Sequence, residues 1–95
     1  NLVTLYNNIG SAYQRLENAE EAQQWYLKAL ESAEALGLVR EMAAILNNLG
    51  QLALSRDNLS KAVDFLAQAH DLFVQLDRME EAYRIEEQLT KLKLS

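Results

Sequence analysis

The chain has 95 residues, 49% of them hydrophobic, and sets nine basic side chains against fourteen acidic ones for a net charge of −5. That is one domain of modest core, without cysteine for a disulfide framework or proline to break a helix. The scattered basic residues and a pI near 4.8 argue against a nucleic-acid or anionic-membrane partner, and no apolar run approaches the roughly 18 residues of a membrane span.

A cytoplasmic location is the expectation, and the missing initiator Met suggests a piece of a longer protein. Residues 1–16 predict a first helix: Leu2, Leu5, Tyr6, Ile9, Gly10, Ala12, Tyr13 and Leu16 share one arc at 100° per residue. The opposite arc holds Thr4, Asn7, Asn8, Ser11, Gln14 and Arg15. Asn18, with Glu21 three residues on, has the form of a capping box, in which Asn accepts from an orphan backbone N–H and Glu reaches back.

The second helix spans about 19–36, with Ala22, Trp25, Tyr26, Ala29, Leu30, Ala33 and Leu36 at helical spacing, Trp25 being expected in the core. Gly37 stops it by taking a left-handed conformation without a Cβ penalty. A third helix, 39–55, packs Met42, Leu46, Leu49, Gly50 and Ala53 and turns Asn47, Asn48, Gln51 and Ser55 to its polar face. After a break at Arg56-Asp57-Asn58, the fourth helix (59–76) presents Ala62, Phe65, Leu66, Ala69, Phe73 and Leu76. Asp77, with Glu80 three residues on, reads as the cap of a fifth helix ending near 93.

Sliding the sequence by forty residues superposes Asn7 on Asn47, Asn8 on Asn48, Gly10 on Gly50, Asn18 on Asn58, Ala22 on Ala62, Ala29 on Ala69 and Leu36 on Leu76. The fifth helix continues the register through Glu41/Glu81, Ile45/Ile85, Leu49/Leu89, Leu52/Leu92 and Leu54/Leu94, with Thr90 where glycine stood. A glycine inside a helix costs about 0.5–1 kcal/mol against Ala, so its recurrence at one register favours a packing reason over chance.

The positions Tyr6, Ile9, Gly10, Tyr13, Ala22, Tyr26 and Ala29, repeated as Leu46, Leu49, Gly50, Ala53, Ala62, Leu66 and Ala69, resemble the tetratricopeptide repeat signature. The forty-residue period resembles the longer-helix members, such as the kinesin light chain and cell-polarity adaptor types and related bacterial regulators. The resemblance implies an all-α, right-handed superhelical solenoid of antiparallel helix pairs. Repeat 1 covers about 3–42, repeat 2 about 43–77, and a capping or partial third-repeat helix about 78–93.

In arrays of this kind the first helix of each pair lines a concave surface. By position, that surface holds Asn7, Asn8, Ser11, Gln14, Arg15, Asn47, Asn48, Gln51, Arg84 and Gln88 as candidate partner-binding residues, with Thr4, Ala44, Ser55, Glu87 and Lys91 beside them. Asn offers both donors and an acceptor and so can pair with a whole peptide unit. Helices 8–10 Å apart match about three residues of extended chain, so an Asn7 and Asn47 ladder would fit a peptide backbone. The family holds extended peptides in this way, as the resemblance implies. The alternative is that these asparagines are solvated surface or a link between neighbouring helices.

His70 has no metal-ligating residue at helical spacing, and the Glu20/Glu21, Glu80/Glu81 and Glu86/Glu87 pairs diverge by about 100°. No catalytic residue, metal or cofactor is expected. The expected function is a non-enzymatic module binding a protein or peptide. Its alternatives are a structural spacer, self-association through exposed apolar ends (Leu2, Leu5, Leu92, Leu94), or the peptide-sensing part of a larger regulator.

Overall fold

The computed structural model describes residues 1–94, and of Leu94 only the backbone. Its elements are α1 (Leu2–Arg15), α2 (Ala19–Leu36), α3 (Val39–Ser55), α4 (Leu59–Gln75) and α5 (Met79–Leu94). Consecutive helices pack against each other, and α1 also touches α3. The arrangement is an all-α helical repeat. Every helix end falls within one residue of the sequence expectation, because the alternation of apolar face and polar connector is unbroken.

The connectors share one device. Glu17, Gly37, Asp57 and Asp77 all take the left-handed conformation, with φ of 60°, 68°, 57° and 57°. They stand twenty residues apart. The next amide reaches five residues back each time, Asn18 to Tyr13, Leu38 to Ala33, Asn58 to Ala53 and Arg78 to Phe73, at 2.8–2.9 Å. This 6→1 bond closes the helix C-terminus and satisfies a carbonyl that would otherwise be orphaned.

That frame corrects the capping expectations. Asn18 does accept from the Glu21 N–H and Asn58 from the Lys61 N–H, both at 3.3 Å. The reciprocal half of a capping box is not formed, since the Asn18 N–H is already committed to Tyr13. Asp77 is not the cap of α5: it holds the left-handed position, and the helix begins at Met79. Arg78 precedes α5, and its guanidinium pairs with Glu81. A hydrogen bond from Glu81's own backbone N–H, partly opposed by desolvation and aided by Arg78, holds the Glu81 carboxyl below the usual carboxylate range.

Two clusters form the core. The first gathers Val3, Ala22, Tyr26, Ala29, Ala33, Ile45, Leu49 and Leu52, and the second Ala43, Leu46, Leu66, Ala69, Phe73, Ala82 and Ile85. Because α3 lies between α2 and α4, it contributes to both, burying Ala43, Ile45 and Leu52 beyond the face expected from sequence. Gly10 and Gly50 are both buried. A Cβ on Gly10 would sit 2.6 Å from the Tyr26 ring, and one on Gly50 2.6 Å from the Leu66 side chain. These glycines are therefore contact points between the helices of each pair.

The apolar arc of α1 is only partly covered, and Leu2 and Leu5 are exposed as expected of an apolar end. Leu2 and Leu5 are 61% and 51% exposed and Leu16 is exposed too, whereas Val3 is 1% exposed. The reason lies in the register. Leu2, Leu5, Ile9 and Ala12 correspond to Met42, Ile45, Leu49 and Leu52, the face of α3 turned to the preceding helix. No helix precedes α1 among the described residues to cover that face, whereas the face turned to α2 (Val3, Tyr6, Gly10, Tyr13) is packed.

At the other end Leu92 is half-buried against the second cluster, contrary to the expected exposure, and the Leu94 side chain lies outside the described residues. Trp25 also departs from expectation. It is half-buried, tilted against Tyr6 with ring centroids 5.7 Å apart, with the Lys28 ammonium 5.1 and 5.2 Å from the two rings. Leu36, expected on the packing face of α2, is exposed.

Candidate partner-binding face

The polar arcs of α1, α3 and α5 are joined by side-chain amides. Asn48 Nδ2 donates to Asn7 Oδ1 at 2.9 Å, linking α3 to α1. Gln51 and Gln88 exchange two hydrogen bonds, at 2.8 and 3.0 Å, linking α3 to α5. Gln51 Nε2 also lies 3.2 Å from Asn47 Oδ1 within α3. These residues are half-buried rather than fully solvated, because side chains bridging adjacent helices cover one another.

Ser11 and Gln14 have a different employment. The Tyr26 hydroxyl, buried from the other helix of the pair, donates to Gln14 Oε1 at 2.6 Å and lies 3.1 Å from Ser11 Oγ. A phenol has one proton, and here it points to Gln14, so Ser11 is the donor of the second bond. Together they satisfy the polar end of a residue that is otherwise core. The periodicity of α1 alone could not have revealed this, since the signal lies in an antiparallel pairing of two helices.

The remaining candidates are more open. Asn8 and Arg15 are exposed, and Arg84 pairs with Glu80 at 2.7 Å across one turn of α5. Thr4 and Ala44 are exposed, Ser55 Oγ donates to the Leu52 carbonyl, and Lys91 lies 3.5 Å from Glu87. Between α3 and α5 a cleft of about 180 Å³ brings Asn47, Gln51, Arg84 and Gln88 together over Phe73 and Ile85, with Glu81 at its edge. Four of the ten sequence candidates thus converge on one cleft, Asn7 and Asn48 pair one helix step away, and Ser11 and Gln14 are drawn inward.

Among the described residues, no group of three acidic, His or Cys side chains is placed to hold a metal ion, and no helix is long and apolar enough to cross a membrane. His70 lies 3.6 Å from both Asp71 and Glu86, tying α4 to α5.

Comparison with known proteins agrees with this architecture. The crystal structure of BtubC (BKLC) from P. vanneervenii superposes with a TM-score of 0.68 over 97% of the chain at 18% identity. The chain spans 46% of that protein's length, and the likeness shows the fold. No curated protein sequence matches the chain. The tetratricopeptide repeat sequence model matches residues 1–75, the first four helices, and its repeats generally mediate protein–protein interaction without enzymatic activity. The chain belongs to the tetratricopeptide repeat family.

Proposed function

We propose that the chain is a non-enzymatic interaction module that holds an extended segment of a partner protein against the face made by α1, α3 and α5. The observation that carries this reading is the α3–α5 cleft, where the amides of Asn47, Gln51 and Gln88 and the Arg84 guanidinium surround an apolar floor of Phe73 and Ile85. Among the described residues neither Asn7 Nδ2 nor Asn47 Nδ2 donates to a protein acceptor. Each therefore keeps donors for a peptide carbonyl, while its oxygen is engaged by Asn48 or Gln51.

Magnitudes set what to expect. Two amide contacts supply about 1 kcal/mol each, against about 8 kcal/mol for micromolar affinity. Most of the affinity must come from an apolar side chain on the Phe73 and Ile85 floor, with the amides fixing register. Peptides selected from a random library on the chain should carry such an anchor. They should bind about thirtyfold more weakly to Asn47→Ala/Gln88→Ala, the loss of two contacts, at unchanged helix content. Equal binding by Asn7→Ala/Asn47→Ala would remove the asparagine ladder from the mechanism.

A second reading, a spacer or self-association segment of a longer solenoid, is favoured by the exposed Leu2, Leu5 and Leu16 stripe. Sedimentation across concentration separates its self-associating form from the first, since a strict monomer at high concentration rules that form out.

A further inference from the structure

The side of α3 away from Asn47 and Gln51 carries a second surface. At 100° per residue, the α3 arc of Met42, Leu46, Leu49 and Ala53 is centred roughly opposite that of Asn47, Ala44 and Gln51. It underlies the seam between α2 and α4, whose backbones stay apart with α3 between them.

Two cavities lie along this seam. One, of about 290 Å³, is lined by Gln23 from α2, Leu49, Leu52 and Ala53 from α3, and Phe65 and Lys61 from α4, with Arg56 and Asn58 at its end. The other, of about 240 Å³, is lined by Leu30 and Glu34 from α2, Met42 and Leu46 from α3, and Gln68, Asp71 and Leu72 from α4. Leu30 and Phe65 pack against both core clusters and mark the waist between them.

The charges at the two ends are opposite. Arg56 and Lys61 stand at one, Glu34 and Asp71 at the other. Arg56 donates to Gln23 and Asp71 lies 3.6 Å from His70, while Lys61 and Glu34 form no ion pair among the described residues. From Lys61 to Asp71 is ten residues of helix, or about 15 Å.

We propose that the α2–α4 seam is a second docking surface for an extended partner segment, acidic at one end, basic at the other and apolar between. About five residues of extended chain cover 15 Å, so two apolar side chains on one face of the segment can enter the two cavities while its charged ends meet Arg56 with Lys61, and Glu34 with Asp71. Complementary charge fixes the segment's direction, which distinguishes this surface from the amide-lined face, where a peptide is held by its backbone.

The test uses the synthetic peptide Asp-Asp-Leu-Gly-Leu-Lys-Lys with a spin label at its acidic end, followed by amide resonances of the isotope-labelled chain. Saturable binding should broaden signals around Arg56 and Lys61, weaken with added salt, and disappear when Ser replaces both Leu. The exposed single substitutions Lys61→Glu and Asp71→Lys should each lower affinity about threefold to fivefold, the range of one exposed ion pair. Inverting both ends with the fourfold variant Arg56→Glu/Lys61→Glu/Glu34→Lys/Asp71→Lys should restore binding with the label moved to the end that holds residues 34 and 71. Broadening around Asn47 and Gln88, an unmoved label in the fourfold variant, or no saturable binding would each overturn the proposal. Circular dichroism of the variants checks that the helices persist.

Discussion

The two helix pairs have one frame and different fillings. In the first pair Gly10 meets the ring of Tyr26, and in the second Gly50 meets Leu66, at the same register and the same close approach. Going seven residues outward from that contact in the antiparallel pair brings Val3 opposite Ala33 and Ala43 opposite Phe73, both pairs within their own core cluster. Large and small residues have exchanged sides. Where Tyr26 needs partners for its hydroxyl the chain supplies Ser11 and Gln14; where Leu66 needs none, the equivalent positions are Gln51 and Leu54. Gln51, relieved of that duty, reaches Gln88 instead. A polar group in the core of one pair thus decides which side chains remain for the outer face of that pair.

The comparison can be tested by converting one filling into the other. Tyr26→Leu should cost about 2–3 kcal/mol, from the cavity it leaves and two lost hydrogen bonds. The triple variant Tyr26→Leu/Ser11→Gln/Gln14→Leu, which copies the second pair, should recover part of that loss in urea unfolding. Recovery is expected because residues sharing a network do not act additively. If the triple variant is no more stable than the sum of its parts, the coupling between filling and face is wrong.

Gly10→Ala should be destabilising by about 1–2 kcal/mol, since overpacking against a ring held by two hydrogen bonds outweighs the helix-propensity gain. Gly50→Ala should cost less, because Leu66 can change rotamer where the Tyr26 ring is anchored. Equal costs would mean that backbone separation, rather than the facing side chain, sets the limit.

The connectors offer the opposite sign. A left-handed conformation costs a residue with a Cβ about 1–2 kcal/mol, partly regained by glycine's greater entropy in the unfolded chain. Glu17→Gly, Asp57→Gly and Asp77→Gly should therefore each stabilise by about 0.5–1 kcal/mol, and Gly37→Ala should destabilise. Glu17→Gly should gain most, because Asp tolerates this conformation better.

The smallest effect concerns pH. Helix α5 is entered through Arg78 and Glu81 in place of an asparagine cap. A carboxyl whose folded pKa is lowered stabilises above its unfolded pKa and loses that contribution as pH falls through the folded value. Glu81→Gln should then lower the Tm slightly at neutral pH and leave it unchanged in strong acid.

Much of this was legible in the sequence, for identifiable reasons. Helix boundaries were, because each connector interrupts the apolar period, and the glycine contacts were, because glycine inside a helix demands a cause. The choice between Val3 and Leu2 with Leu5 was not, since α1 carries two apolar arcs and only the neighbours decide which is covered. The inward turn of Ser11 and Gln14 depended on Tyr26, in another helix. The left-handed connectors were visible only at Gly37, although positions 17, 57 and 77 stand at the same interval and would have yielded to the same reasoning.

That interval has a consequence for evolution and engineering. With a turn of one geometry every twenty residues, the chain is divided into cassettes that begin and end in the same backbone state. A cassette can be duplicated, deleted or exchanged at residues 17, 37, 57 or 77 without altering how the chain enters the next helix. Growth in units of two cassettes keeps the alternation of faces, and growth by one inverts it. Length is thus adjustable in steps of forty residues, and the partner surface lengthens by one helix with each step.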